Sequence, residues 1–179
     1  CSVLPTGVMS THTAFPQPHI HSLTADILPI SAHWKHIGKQ FDAVLVGYLS
    51  DSAQIEAVSA VFKDNPGITV LDPAMADGGK LYSGISPEHP EHLKALCRQA
   101  QILLPNVTEA ALLTGIAYQE TGDQSYYDSL ISSLFNLGVQ SVMLTGVSLI
   151  KGQTGFLYAS RNSAPQVYQI QQIPGRFHG

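Results

Sequence analysis

Positive charge is scarce in this sequence. Only nine of its 179 residues are Lys or Arg, against thirteen Asp or Glu, and the formal net charge at pH 7 is -4. The basic residues form no run, so the chain has no cluster that could neutralise the phosphates of a nucleic acid. We therefore expect no nucleic acid among its partners.

Cysteine and long apolar segments are also scarce. The two cysteines, Cys1 and Cys97, are too few for a disulfide framework and fit a reducing compartment. Every apolar stretch falls well short of the roughly 20 residues that a membrane-spanning helix needs. The first residues lack the basic and apolar regions of a signal peptide. We therefore expect a cytoplasmic protein that does not bind a membrane.

The composition is that of an ordinary globular protein. Apolar residues make up 44% of the chain and charged residues 12%, values that exclude a disordered protein. A length of 179 residues is enough for one domain with a sizeable core, so residues 1–179 are expected to form a single domain. The start at Cys1 and the end at a glycine indicate a fragment of a longer protein.

Short apolar runs alternate with stretches of helical periodicity, which is typical of βαβ units in an α/β fold with a mostly parallel sheet. The predicted parallel strands are 42–48, 68–72, 101–105 and 139–146, and an antiparallel pair follows with its turn near 161–165. The predicted helices are about 52–62, 86–97, 106–113 and 127–135. Residues 11–29 are rich in His, Pro and Thr and predict a loop, with a helix after it through about Lys39.

Polar residues and glycines collect where the predicted strands end. They are Gly47 and Tyr48, Asp72 and Asp77, Asn106 and Glu109, and Thr145 and Gly146. Open α/β sheets bind ligands at the carboxyl ends of their strands, so these side chains are expected to share one edge. Carboxylates with an amide and a hydroxyl suit Mg²⁺ and a phosphate. They suit zinc poorly, because no Cys or His stands at these positions.

Each motif also has a purely structural interpretation. Asn106 with Glu109 three residues later is a variant of the capping box, which is common at helix starts. Residues 72–77 can be a solvated connection, and Gly78-Gly79 either a turn or a hinge. The histidine pairs have ligand-like spacings, but no cysteine or carboxylate pattern completes them. The two acidic motifs, on adjacent strands, together favour a site.

Five motifs resemble, in order, those of the pyridoxal kinases in the ribokinase-like superfamily. They are "VGYLSD", "LDPAMADGGKLY", "LLPNVTEAALLTG", "VMLTG" and the terminal "HG". The resemblance runs from about Val3 to the last residue. It implies a ribokinase-like three-layer α/β/α fold with a mostly parallel central sheet, incomplete at both ends.

The same resemblance implies the reaction and the residues that serve it. The γ-phosphoryl group of ATP would pass to the 5′-hydroxymethyl group of pyridoxal, pyridoxine or pyridoxamine, with Mg²⁺ and, as an open question, a monovalent cation. A homodimer is implied as well. The assigned residues are Thr13 and Tyr48 for the vitamer, Asp72, Asn106 and Thr145 for ATP, and Asp77 and Glu109 for the metal, which Asn106 would also help to hold. The hairpin beyond Gly155 would border the adenine.

The chain departs from the family's pattern in places. Leu104 stands where the family often has Thr, and Ala76 where it usually has Gly; neither change removes a carboxylate. Gly179 resembles the first glycine of a Gly-Thr-Gly-Asp run, which supplies the family's anion hole and catalytic base. The base is therefore expected beyond Gly179 and the first strand before Cys1, so the function is assigned to the parent protein.

Two alternatives stay open. A hydroxymethylpyrimidine kinase of thiamin synthesis would share the fold and the cation chemistry, although the "GGKLY" motif favours the vitamin B6 group. A non-catalytic relative would keep the ligand pocket and lack the base.

Overall fold

The computed structural model describes residues 1–11, 15 and 17–173. The strands are β1 (Gly7–Met9), β2 (Ile20–Ser22), β3 (Ala43–Val46), β4 (Ile68–Leu71), β5 (Ala76–Asp77), β6 (Lys80–Leu81), β7 (Ile102–Leu103), β8 (Ser141–Val147), β9 (Gln153–Ser160) and β10 (Ser163–Gln171). The helices are α1 (Thr24–His36), α2 (Ser52–Asp64), α3 (His89–Cys97), α4 (Val107–Thr114) and α5 (Gln124–Asn136).

Six strands form the central sheet, in the order β10-β9-β8-β7-β4-β3. The four strands β3, β4, β7 and β8 run parallel, whereas β9 and β10 are antiparallel to their neighbours. Two small hairpins, β1–β2 and β5–β6, lie outside this sheet. The mostly parallel α/β sheet expected from the alternating pattern is confirmed.

One face of the central sheet carries most of the core. Leu71, Leu103 and Val142, on neighbouring strands, are fully buried. The connections between the parallel strands all step in one direction, so the right-handed crossover rule places their helices on this same face. On the opposite face Leu45 of β3 is 69% exposed and Met143 of β8 is only partly buried. The described residues thus show one helical layer on the sheet.

Side-chain caps fix where three of the helices begin. Asp51 accepts a hydrogen bond from the Gln54 N–H (3.0 Å) at the start of α2, and Asp123 accepts one from the Tyr126 N–H (2.8 Å) at the start of α5. A reciprocal capping box starts α4, and Gly115, in the left-handed conformation with φ 76°, ends it. Such caps satisfy N–H groups that have no partner within the helix.

The predicted loop over residues 11–29 is wrong in its second half. Strand β2 and the first turns of α1 lie there, and Pro29 is inside the helix. A proline usually interrupts a helix because it lacks an N–H and crowds the preceding turn. Here the fully buried Ile27 anchors the helix, so packing outweighs the lost hydrogen bond.

Helix α3 begins two residues later than the Ser86-Pro87 pair predicts, since that pair would make Ser86 the N-cap and Pro87 the first helical residue. Ser86 and Pro87 belong to a turn closed by the His89 N–H, which donates to the Ser86 carbonyl at 3.0 Å, and helical geometry starts at His89 with Pro90 in its first turn. The Ser86 hydroxyl bonds to the Glu88 carboxylate and not to the helix. The Ser-Pro pair was a plausible start, but the second proline of the segment occupies the position that suits the helix.

None of the helices in the described part of the chain combines the length and the apolar character needed to cross a membrane.

At the free edge of the described sheet, β10 carries an irregularity. The register with β9 shifts between Ser163 and Gln166, and Pro165, which has no N–H to donate, lies at that point. Farther along the pair, Gly155 of β9 lies so close to β10 that a Cβ there would be 1.8 Å from the Tyr168 carbonyl oxygen.

Candidate functional site

A cavity of about 300 Å³ lies at the carboxyl ends of β4, β7 and β8. Its lining residues are Asp72, Ala74, Tyr82, Leu104, Asn106, Glu109, Met143 and Thr145. Four of the residues that the sequence placed at strand ends therefore meet around one cavity. The position agrees with the rule that open α/β sheets bind ligands outside the carboxyl ends of their strands.

Asp72 is the first residue after β4, and its backbone is fixed while its carboxylate is not. The Asp72 N–H donates to the Val46 carbonyl of β3 at 2.8 Å, which continues the strand pairing by one residue. Among the described residues no hydrogen bond reaches its side chain, which is partly buried. Burial raises the pKa of this carboxyl above its usual value. Asp72 thus presents an acceptor without a partner to the cavity.

The side chains of Asn106 and Glu109 each bind backbone groups in two segments of the chain. The Asn106 Oδ1 accepts from the Glu109 N–H at 2.9 Å, and a Glu109 oxygen accepts from the Asn106 N–H at 2.8 Å. Both side chains also bind the segment that follows β4. There, Asn106 Nδ2 donates to the Ala76 carbonyl (2.8 Å) and the Met75 N–H donates to Glu109 (3.1 Å). The capping-box interpretation of this pair is confirmed, and it extends to a tertiary contact.

Glu109 is an acid held in an apolar environment. Its side chain is 2% exposed. Burial raises its pKa to about 7, and the charge of Asp72 acts in the same direction. The backbone N–H donors that it accepts from lower the pKa, but by less than burial raises it. Near neutral pH this residue is therefore divided between its protonated and ionised forms.

Thr145 reaches the cavity through an irregularity of β8. Its N–H donates to the Pro105 carbonyl at 2.9 Å, and it forms an isolated parallel bridge with Asn106. The next residue, Gly146, has φ 74°, and the register with β9 shifts at this point. A residue with a Cβ adopts that conformation only at a cost, so glycine is needed here. The bulge leaves Thr145 half-buried at the cavity wall.

Tyr82 is a lining residue that we did not single out from the sequence. It follows the hairpin β5–β6, in which Asp77 pairs with Lys80, and its N–H donates to the Met75 carbonyl at 2.8 Å. Burial raises the pKa of its hydroxyl, and three carboxylates act in the same direction: Glu109, Asp77 and Asp72. A two-residue Gly-Gly turn was visible in the sequence, and counting outward from it pairs residue 82 with residue 75.

Asp77 and Tyr48 do not line this cavity. Asp77 is exposed at the end of β5, where its carboxylate accepts from the Gly78 N–H at 2.8 Å. Tyr48 follows β3 and is 38% exposed; burial of part of its ring and the Asp51 charge raise the pKa of its hydroxyl. Thr13 and Gly179, assigned by resemblance to the vitamer and to the anion hole, lie outside the described residues.

The described residues contain no group of three His, Cys, Asp or Glu side chains placed to hold a metal ion. Burial raises the pKa of the Cys97 thiol to about 12, so this residue is an inert part of the core. Mg²⁺ needs no such cage, because it keeps several waters and takes one or two carboxylates together with substrate phosphates.

Comparison with known proteins gives a family and a set of similar structures. The profile of the phosphomethylpyrimidine kinase family matches residues 12–179. No curated protein matches the chain.

Three solved structures are similar over nearly the whole chain. A Bacteroides thetaiotaomicron protein assigned as a phosphomethylpyrimidine kinase has 30% identity and a TM-score of 0.91, and the match covers 98% of this chain and 62% of that one. Its crystal form with pyridoxal has 32% identity and a TM-score of 0.82, over 89% and 57% of the two chains. Pyridoxal kinase from Lactobacillus plantarum has 30% identity and a TM-score of 0.86, over 97% and 63%. The chain spans just under two thirds of the length of these proteins.

We expect Glu109 to make the stability of the protein depend on pH. Its pKa rises from 4.5, the ordinary value, to about 7 in the folded protein, so the folded state binds this proton more tightly than the unfolded state. The contribution is fully present below pH 4.5. The free energy of unfolding should fall by up to roughly 3 kcal/mol as the pH rises through 7. Urea unfolding at a series of pH values measures this fall.

The variant Glu109→Gln has no titrating proton and should lose this part of the pH dependence. The exposed Glu120 offers a matched control, because Glu120→Gln should keep the wild-type dependence. Equal pH profiles for the wild type and Glu109→Gln would show that another group titrates.

Proposed function

This chain belongs to the phosphomethylpyrimidine kinase family, and from that premise we propose that its protein transfers the γ-phosphoryl group of ATP to the 5′-hydroxymethyl group of a vitamin B6 vitamer. The observation that carries the proposal is the cavity at the strand ends, where the carboxylate of Asp72, which accepts no hydrogen bond from the described residues, lies beside Asn106, Glu109 and Thr145. Phosphoryl transfer depends mainly on positioning and on neutralising charge; the cavity would position the phosphates, and its carboxylates would hold the cation that neutralises them.

The residues present fit a Mg²⁺ ion that arrives with the nucleotide. Asp72 is the carboxylate best suited to hold it, because its oxygens accept no hydrogen bond from the described residues. Glu109 already accepts backbone N–H groups with both oxygens and would act in the outer shell, through water. Asp77 is exposed and could reach the cation from the hairpin. When bound, the ion would neutralise phosphate charge.

The residues that would contact ATP are proposed from the same cavity. Thr145, half-buried at the bulge of β8, lines the cavity, and its hydroxyl, which donates to the Pro105 carbonyl at 3.4 Å, would contact a phosphate. Asn106 forms a backbone bridge with it. A monovalent cation is a further expectation from the resemblance, and rate measurements in K⁺ and in Na⁺ would test it. Equal rates would argue against it.

The vitamer is favoured as the acceptor by two relatives. One of them is a pyridoxal kinase and the other was crystallised with pyridoxal, each at about 30% identity. Tyr48, at the end of the strand next to β4, offers an aromatic surface to a flat heterocycle, and Thr13 is its expected companion. A pyridine ring would therefore lie on the β3 side of the cavity, with its hydroxymethyl group toward the phosphates.

Hydroxymethylpyrimidine is the second candidate acceptor. It too is a small nitrogen heterocycle with a hydroxymethyl group, and the family's description favours it. A non-catalytic ligand-binding protein is the third possibility, since the base is assigned only by resemblance, to a position beyond Gly179. The three differ in what is bound and what is phosphorylated.

A substrate panel separates these functions. Purified full-length protein should release ADP with pyridoxal, pyridoxine or pyridoxamine at least tenfold faster, as kcat/KM, than with hydroxymethylpyrimidine or ribose. A preference for hydroxymethylpyrimidine would transfer the proposal to the thiamin precursor. Pyridoxal binding by calorimetry without ADP release would indicate the non-catalytic relative.

Asp72→Asn should lower kcat/KM about a hundredfold and leave the fold intact, because it removes the charge that the cation needs while keeping the size of the side chain. Asp42→Asn is the matched control: this exposed aspartate precedes β3 at the opposite end of the sheet. Activity of Asp72→Asn within threefold of the control, at saturating Mg²⁺, would rule out Asp72 as the anchor.

A cytoplasmic homodimer completes the proposal. Large apolar side chains near the β1–β2 hairpin are exposed, among them Val8 at 57% and Ile20 at 48%, and an interface between two copies would cover them. Sedimentation of the purified protein as a monomer at micromolar concentration would contradict it.

A further inference from the structure

The β5–β6 hairpin rests on helix α4 at both its base and its tip. At the base, Asn106 and Glu109 bind the backbone of Ala76 and Met75. At the tip, Gly78 (φ 56°) and Gly79 (φ 77°) form the two-residue turn between Asp77 and Lys80. Two consecutive residues of positive φ are typical of the turn that closes such hairpins, and glycine adopts this conformation without strain.

The tip is joined to the helix by one side chain. Thr108, in the first turn of α4 and 2% exposed, accepts a hydrogen bond through its hydroxyl oxygen from the Gly79 N–H at 3.0 Å. In a two-residue turn of this kind the second turn residue has no backbone partner within the hairpin. The turn leaves the N–H groups of Gly78 and Gly79 without a backbone partner; the first donates to the Asp77 carboxylate and the second to Thr108.

The ring of Tyr118 also packs against the hairpin tip. Tyr118 lies against the α-carbon of Gly79, where a Cβ would come within 2.8 Å of the ring. Beside this contact a groove of about 300 Å³ runs along the outer side of α4, lined by apolar residues such as Ala111, Leu112 and Ile116. The groove leaves room for the tip to shift if the Thr108 contact is lost.

We infer that Thr108 is a positioning residue that holds the hairpin tip on α4 and so fixes Asp77 and Tyr82 relative to the cavity. The inference rests on the proposed function for its kinetic consequence, because Tyr82 lines the cavity and Asp77 is near enough to affect the Tyr82 pKa. Thr108 itself does not line that cavity, and it acts only through the hairpin. Thr108 would thus influence the KM for MgATP without touching a substrate.

Replacing the hydroxyl by a methyl group isolates this contact. Thr108→Val keeps the volume and the burial of the side chain, so the helix should stay folded. The Gly79 N–H then loses its acceptor in the protein and donates to water instead. Thr108→Ser keeps the hydroxyl. Thr114→Val is a matched control, since its hydroxyl lies at the other end of α4 and bonds only to the helix's own backbone and to the Ile116 N–H.

Two measurements on the full-length protein test the inference. Hydrogen exchange at the backbone amides of residues 78–80 should be at least tenfold faster in Thr108→Val than in Thr114→Val, with Thr108→Ser restored toward the wild type. In steady-state assays, Thr108→Val should raise the KM for MgATP three- to tenfold and leave the KM for the vitamer within twofold, because the hairpin carries groups assigned to the cation. Thr108→Ser should recover the wild-type KM.

The outcomes distinguish this inference from the proposed function. Unchanged exchange in Thr108→Val would overturn the positioning role whatever the enzyme phosphorylates. Faster exchange with the same KM for MgATP as Thr114→Val would overturn its link to the reaction. A wild-type protein that phosphorylates no acceptor would refute the proposed function, and the exchange data would then decide by themselves whether Thr108 holds the tip.

Discussion

The hydrogen bonds made by Asn106 and Glu109 are the constraint on which the rest of the site depends. The same two side chains start α4, close its first turn and hold the segment that follows β4. Asp72 before that segment and Tyr82 after it both line the cavity. The capping-box interpretation of Asn106 and Glu109 is compatible with their proposed functional role, because the residues that start the helix also line the cavity.

The two carboxylates of the cavity, Asp72 and Glu109, differ in their burial and in their hydrogen bonds. Both oxygens of Glu109 accept hydrogen bonds from backbone N–H groups, and the residue is buried. Ionising this carboxyl in the folded protein therefore costs stability, which is why its pKa is raised. Asp72 keeps its oxygens free and is better hydrated. If the proposed function holds, one carboxylate organises the backbone and the other stays available for the cation that accompanies the nucleotide.

Much of the fold followed from sequence patterns, for identifiable reasons. Buried parallel strands are short apolar runs, and Asn106 with Glu109 has the local signature of a capping box, so these elements and the strand-end residues of the cavity were predicted. Helix α5 begins at Gln124, three residues before the predicted 127, because its cap at Asp123 lies outside the apolar stripe. The start of helix α1 was not predicted, because the sequence predicts a helix only after residue 29, and the burial of Ile27, which keeps Pro29 within the helix, depends on tertiary packing. Tyr82 was missed because hairpin pairing, not strand direction, brings it to the cavity. The displacement of Asp77 from the cavity wall has the same origin.

The irregular start of β10 has a consequence for association between sheets. In the described part of the chain β10 and β3 are the two edge strands of the central sheet. β10 is nine residues long and mostly exposed, with apolar side chains such as Tyr168 and Ile170. A straight strand of this kind is a template for pairing with another molecule's strand and hence for aggregation. Pro165 and the shifted register at Ser163 to Gln166 interrupt the row of donors and twist the edge. This interruption should limit uncontrolled strand addition to the second half of β10 and help to keep the protein dispersed.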